Sequence, residues 1–262
     1  MSKVIILGCG GSSGVPSLSY AYPQGDWGVC DPANPKNFRT RSSIYVEYQG
    51  MHLLVDTSPE MRLQFISNKI PAIDAVIYTH HHADHTSGID ELRSLYFSGF
   101  QKRVPIYTDP LIMETLQVDF SYLFVDKQEA MIYPQVVEPY PFTDTVSIGA
   151  AEIQAFHQGH GHSISIGLRF GSLAYSTDFN ELDSHALQVL KGVDTWIVDC
   201  AGRDGPRPTH CHLELSLEWI AKVNPRRAIL THMGKSLDYE TLKKELPLGV
   251  EPAYDGMIIE FD

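Results

Sequence analysis

The sequence predicts a single-domain α/β (α+β) protein over residues 1–262, a sandwich of mixed sheets with helices outside. Three observations predict it. A chain of 262 residues is long enough for one large domain with a substantial core. Short β-like apolar runs recur with helical patterns between them, and the strands outnumber the helices. Both halves of the chain mix the two, and no internal repeat or low-complexity linker divides them.

In chain order, strand-like runs lie at 4–7, 43–46, 53–55, 75–78, 104–107, 153–156, 164–170, 173–175, 196–198, 228–230 and 257–259. Gly, Pro, Asp and Asn bound them, as strand ends require. Helical patterns lie at 59–67, 86–97, 110–123, 182–190, 213–223 and 239–246. The first opens with Ser58-Pro59, read as a cap followed by Pro at the first helical position. In 213–223, Leu215, Trp219, Ile220 and Val223 recur at helical spacing and give one apolar face. Residues 17–41, rich in Pro, Tyr, Asp and Asn, read as a surface loop or lid, and 124–145 as a second polar, Pro-rich stretch.

Composition narrows the function classes. With 43% hydrophobic and 20% charged residues the chain is globular rather than disordered. A net charge of −12 argues against the broad basic footprint of a DNA-binding protein. No run approaches a membrane span, and the N-terminus lacks a signal-peptide pattern, so a cytoplasmic protein without a membrane partner is expected. Cys9, Cys30, Cys200 and Cys211 form no C-x-x-C pair, which favours reduced thiols and excludes a zinc ribbon. Cys200, after the run Trp196-Ile197-Val198, reads as a small buried residue.

The twelve histidines are the unusual feature. Ten of them fall in 80–85, 157–162, 210–212 and 232, leaving only His52 and His185 alone. The strongest signal is Thr79-His80-His81-His82-Ala83-Asp84-His85, placed between a strand-like run and a helical pattern. Histidines two apart in a turn can aim at one point, and Asp84 with His85 at a helix start can aim at another. Imidazole nitrogen and carboxylate oxygen suit zinc and related divalent ions. A solvated His-rich turn is the alternative, and it is disfavoured by further donors at strand ends. These are His160 after 153–156, Asp178 after 173–175 and His232 after 228–230. Donors at such edges are placed more firmly than donors on free loops.

On these residues the sequence resembles the metallo-β-lactamase superfamily, with H-x-H-x-D-H standing as His80, His82, Asp84 and His85. The resemblance covers about residues 3–260 and implies an αββα four-layer sandwich with two divalent metal ions, Zn or Mn, at one edge. It implies that His80, His82 and His160 hold one metal, that Asp84, His85 and His232 hold the other, and that Asp178 bridges them. His157 and His162 compete with His160 for the third position. The distance from His160 to Gly167 matches the family layout best. His81 is expected to point away. Asp56 is implied to hold a ligand histidine by accepting from its other ring N–H. Capping the helix after Ser58-Pro59 is its alternative role.

The stretch Arg207-Pro208-Thr209-His210-Cys211-His212 resembles the superfamily's phosphodiesterases, with His210 lying 22 residues before His232. The phosphoribosyl cyclic phosphodiesterase branch is the nearest likeness, also through residues 7–16 and Tyr254-Asp255-Gly256-Met257; ribonuclease Z is more distant. The resemblance implies a phosphodiesterase acting on a small phosphorylated ribose, nucleotide or cyclic phosphate through a metal-bridging hydroxide, and a homodimer. Asp84 and His210 are the catalytic candidates. Ser12 and Ser13 in the Gly-rich turn, and His212, are the substrate-binding candidates. A tight turn without ligand contact is the alternative for residues 11–14, as packing is for His212.

The early loop departs from that branch. Only Cys30 stands where a Cys-rich zinc site would lie, and Lys235 replaces a further ligand. No structural zinc is therefore expected, and Trp27, Tyr20 and Tyr22, if exposed, are candidates for stacking on a base or sugar. Rival readings are a tRNA 3′-processing endonuclease and a thioester or lactam hydrolase. The first is disfavoured because 124–145 holds Lys127 alone among Asp126, Glu129, Glu138 and Asp144.

Overall fold

A computed structural model describes residues 2–99, 102–124 and 134–262. The segment with Asp126, Lys127 and Glu129 lies outside the described residues.

The apolar runs pair into two seven-stranded sheets. The first is ordered β14 (Met257–Phe261), β1 (Ser2–Gly8), β2 (Ser43–Tyr48), β3 (Met51–Val55), β4 (Ala75–Ile77), β5 (Val104–Thr108) and β6 (Val137–Pro141). The second is ordered β13 (Val250–Pro252), β12 (Arg227–Thr231), β11 (Thr195–Asp199), β10 (Leu173–Ser176), β9 (Ser163–Phe170), β8 (Ala151–His160) and β7 (Thr145–Ile148). In the first sheet, pairing is antiparallel from β14 to β3 and parallel from β3 to β6. In the second it is parallel from β13 to β10 and antiparallel from β10 to β7. Strands such as β4 and β11 are buried along their whole length, as strands covered on both faces should be.

Helices α1 (Met61–Asn68), α4 (Pro110–Asp119) and α5 (Ser121–Phe124) pack on the first sheet. Helices α6 (Ser184–Leu190) and α8 (Tyr239–Glu245) pack on the second. This is the αββα sandwich, and one apolar core fills it, with Trp196, Tyr45, Tyr175 and Phe156 among its largest fully buried side chains. Among the described residues no helix is long and apolar enough to cross a membrane.

Several elements differ from the sequence reading. The three unexpected strands β6, β7 and β13 all lie at sheet edges. Pro139 and Pro141 in β6 and Pro252 in β13 hide the strand signal, yet edge strands tolerate proline because one side of their ladder is unpaired. The helix expected over 86–97 is two, α2 (Ala83–Thr86) and α3 (Glu91–Ser98), separated at Gly88, where any Cβ would collide with the Ser58 carbonyl. The start expected at Ser58-Pro59 shifts to Met61. The Ser58 hydroxyl instead accepts from Glu60 N at 3.2 Å and donates to Gln64 Oε1 at 2.9 Å. Helix α7 (Leu213–Val223) has the expected bounds.

The 17–41 loop is strapped down rather than free. Buried Arg39 donates to the carbonyls of Gly234 (3.3 Å) and Leu237 (2.7 Å), and Asn37 donates to Asp238 at 2.7 Å. Lys235 pairs with Asp26. The loop thereby lies against the chain that follows β12. Tyr20 and Tyr22 are exposed, while Trp27 is half-buried and its ring lies 6.5 Å from that of Phe38.

Candidate metal centre

Seven strand ends or post-strand loops converge on one edge of the sandwich. Asp56 follows β3, His80 to His85 follow β4, His160 ends β8, and Asp178 follows β10. Asp199 ends β11, His210 lies in the loop beyond it, and His232 follows β12. Three of these residues have left-handed backbones: Asp56 (φ 63°), Asp178 (φ 53°) and His232 (φ 56°). Outside helix caps this conformation costs a non-glycine residue about 1 kcal/mol or more. Its recurrence just past three strands turns each side chain back over the sheet edge.

The donor atoms form overlapping groups within 4.8 Å, one of His80, His82, His160 and Asp178, another of Asp84, His85, Asp178 and His232. Asp178 belongs to both, and its two oxygens divide between them. Oδ2 lies 3.6 Å from His80 Nε2 and 4.0 Å from His160 Nε2, whereas Oδ1 lies 3.2 Å from His85 Nε2 and 3.3 Å from His232 Nε2. Asp84 Oδ2 is 3.4 Å from His85 Nε2 and 3.5 Å from His232 Nε2.

The opposite ring nitrogens have fixed partners. His85 Nδ1 donates to Asp56 Oδ2 at 2.7 Å, and His160 Nδ1 donates to the Thr209 carbonyl at 2.6 Å. Asp56 also accepts from Thr79 N and Thr79 Oγ1, both at 2.8 Å. Among the described residues its carboxylate thus accepts from His85 and Thr79 and from no helix N–H. The Nε2 atoms of His80 and His85 are buried without a hydrogen bond. Such atoms cost about 1–3 kcal/mol each unless something satisfies them. Imidazoles fixed through Nδ1, with Nε2 converging on shared carboxylates, fit divalent ions of the zinc or manganese type.

The charge state is asymmetric. Burial holds the imidazoles of His80, His82 and His160 below their ordinary range, so they are neutral lone-pair donors. Burial also acts against charge on His232, but Asp178, Asp84 and Asp199 outweigh it and raise that ring to about 9. For His85 burial is again outweighed, by Asp178 and Asp56, and the ring is raised. Burial alone would raise Asp178; His232, His85 and His80 hold it well below the carboxylate range.

His157 and His162 do not compete with His160. His157 is half-exposed and lies 3.0 Å from Asp109, and His162 is exposed. His81 joins neither donor group. Asp199 is the residue the sequence reading missed. It is fully buried, accepts from Asp178 N (3.2 Å) and Cys211 N (2.9 Å), and lies 3.4 Å from His232 Nδ1. Its signal, an acid directly after the apolar run Trp196-Ile197-Val198, is the one that marks Asp56 after Val55.

A cavity of about 330 Å³ opens beside the His232 side of the centre. Ser12, Ser13, Arg207, His210, His232 and Lys235 are among its lining residues. Ser12 and Ser13 are exposed there, in a turn closed by Gly14 N donating to the Gly11 carbonyl at 2.8 Å. His212 is not part of that lining; its ring packs on Gly205, where a Cβ would collide with it.

A model of the β-lactamase superfamily domain matches residues 52–233. The chain belongs to the metallo-β-lactamase superfamily. Its structure is similar to that of a diphosphatase from the PhnP family, with 32% identity, a TM-score of 0.88, and coverage of 100% of this chain and 98% of that one. Over 97% of its length it is 23% identical to an octanoyltransferase of Porphyromonas gingivalis. It is also 32% identical over 94 residues, 35% of the chain, to a ribonuclease Z of Clostridium kluyveri. The chain spans 51% of the first of these curated relatives and 24% of the second. This superfamily member thus carries a hydrolase fold with His/Asp clusters that could hold metal.

Proposed function

We propose that the protein is a dinuclear-metal phosphoric diester hydrolase acting on a small phosphorylated ribose, nucleotide or cyclic phosphate. The observation that carries this reading is the division of Asp178, one oxygen toward each set of histidines. His80, His82 and His160 would hold one ion, Asp84, His85 and His232 the other. Two such ions supply positive charge for phosphoryl oxygens and a water that ionises near neutral pH. The chain's own residues do the rest. Asp56 and the Thr209 carbonyl fix the tautomers of His85 and His160. The Ser12–Ser13 turn offers N–H groups to phosphate oxygens, and His210 at the cavity wall can pass a proton to the departing oxygen.

The likeness to a PhnP-family diphosphatase over nearly the whole of both chains supports phosphoryl chemistry. The net charge of −12 weighs against a tRNA substrate. Purified protein loaded with Zn²⁺ or Mn²⁺ should hydrolyse bis(p-nitrophenyl) phosphate. A screen of cyclic nucleotides, ribose cyclic phosphates and short RNAs then ranks the substrates. Absence of turnover in a preparation with two metal equivalents would exclude the reading. Preference for tRNA with a salt-dependent gel shift would replace it with the endonuclease.

A further inference from the structure

The cavity beside the metal centre offers polar partners to a phosphate and a sugar, and nothing on which a base could stack. Among the described residues its lining contains no Phe, Tyr or Trp and no aliphatic side chain larger than that of Ala201. Its two imidazoles, His210 and His232, belong to the metal centre.

The missing surface stands at the rim. Ser17, a lining residue, exchanges two backbone hydrogen bonds with Asp26: Ser17 N donates at 3.0 Å and Asp26 N at 2.8 Å. Asp26 in turn pairs with Lys235, another lining residue. Both feet of segment 18–25 are thus rooted in the cavity wall. A turn brings the chain back, with Gly25 N donating to the Tyr22 carbonyl at 2.9 Å. Gly25 packs so closely on Pro16 that a Cβ would come within 2.6 Å of it.

This anchored segment carries Leu18, Tyr20 and Tyr22 at alternate positions, with relative exposures of 101%, 109% and 57%. Large apolar side chains left uncovered together mark an interaction site. Distance indicates the occupant. Tyr20 is three residues from Ser17, so at most about 11 Å of extended chain separates their Cα atoms. A nucleoside phosphate spans a comparable length from phosphorus to the far edge of its base. Phenol rings this close to a phosphoryl site are placed to stack on a base whose phosphate lies at the metal centre. Neither a second copy of the chain nor a lipid surface would require the segment to be rooted in the cavity wall.

We propose that Tyr20 and Tyr22 form a base-stacking platform at the cavity rim, which selects nucleotides over base-free sugar phosphates. The inference rests on the phosphodiesterase reading and names its substrate class. Tyr20 and Tyr22 then set specificity, while the metal centre acts on the phosphoryl group.

The test uses two chromogenic esters that differ by the base: thymidine 5′-(p-nitrophenyl phosphate) and the same ester of methyl 2-deoxyriboside. Metal-loaded protein should favour the thymidine ester in kcat/KM by about tenfold or more, the effect of one stacked base. Tyr20→Ala combined with Tyr22→Ala should remove most of that preference, chiefly through KM. Tyr20→Trp combined with Tyr22→Trp should keep it, because an indole also presents a face for stacking. Both side chains are exposed, so these substitutions leave the folded core intact. No preference in the unaltered protein, or an equal one in the double alanine variant, overturns the proposal. Equal preference with altered sedimentation of that variant assigns the side chains to a second copy and also overturns it. If neither ester turns over, the phosphodiesterase reading fails by itself. The platform is then decided by calorimetric binding of thymidine 5′-monophosphate: weakening of about tenfold in the double alanine variant supports it, and equal or undetectable binding in both proteins overturns it.

Discussion

His210 and His232 lie face to face, with ring centroids 4.9 Å apart and planes within 17° of parallel. His210 Nδ1 is also 3.7 Å from Asp178 Oδ2 and 3.8 Å from Asp199 Oδ2, so these four residues form a third grouping of donors. His210 is thus near enough to be a ligand, and exposed enough at the cavity wall to meet substrate. The proposed function takes the second role. His210→Ala should lower kcat for bis(p-nitrophenyl) phosphate by about 10²–10⁴ while the protein still binds two metal equivalents. Metal content by elemental analysis decides between the roles, because loss of one equivalent would make His210 a ligand.

Asp56 gives a prediction about affinity rather than turnover. Its carboxylate accepts from His85 Nδ1 and twice from Thr79, in full burial. Asp56→Ala leaves His85 free to turn and strands two donors. Metal affinity should fall about 10–100-fold, the usual effect of losing such a carboxylate. Competition with a chromogenic chelator measures it. Full affinity in Asp56→Ala would mean that the sheet edge alone aligns His85.

The donor clusters were legible because their residues follow apolar runs, and strand ends at one sheet edge converge. The choice of His160 over His162 needed the layout of a family, since both are near a strand end; the structure separates them, because His160 is buried in the donor group with His80, His82 and Asp178 whereas His162 is exposed and outside it. Asp199 escaped notice because Cys200 beside it explained the run as core. The edge strands β6 and β13 were hidden by their prolines.

Asp255 ties the Gly-rich turn to the 17–41 loop, and its stability contribution should depend on pH. It accepts from Cys9 N (3.0 Å), Thr40 N (2.7 Å) and Thr40 Oγ1 (2.6 Å), yet burial pushes its carboxyl up to about 6. The folded state therefore binds its proton more tightly than the unfolded chain, whose ordinary value is 3.8. Stability from this group is full below about pH 4, declines as pH rises to about 6, and is level above that, for a total on the order of 3 kcal/mol. Urea melts of the protein and of Asp255→Asn at fixed metal content should show their difference shrinking over that window. A difference independent of pH would place the Asp255 proton outside it.

The unequal protonation of the two histidine sets predicts that the metals bind with different pH dependence. His80, His82 and His160 are neutral by burial, so an ion held by them displaces no proton from the rings near neutral pH. His232 is held up at about 9 by Asp178, Asp84 and Asp199, and His85 is likewise raised. An ion on that side must displace protons, because ligation requires the neutral ring. Affinity there should rise steadily as pH increases toward about 9, whereas the other set should respond little above pH 7. Calorimetric titration with Zn²⁺ in two buffers of different ionisation enthalpy counts the protons released. Most should leave with the weaker equivalent. Equal release at both steps would mean that the carboxylates do not hold the His85 and His232 protons as strongly as their spacing implies.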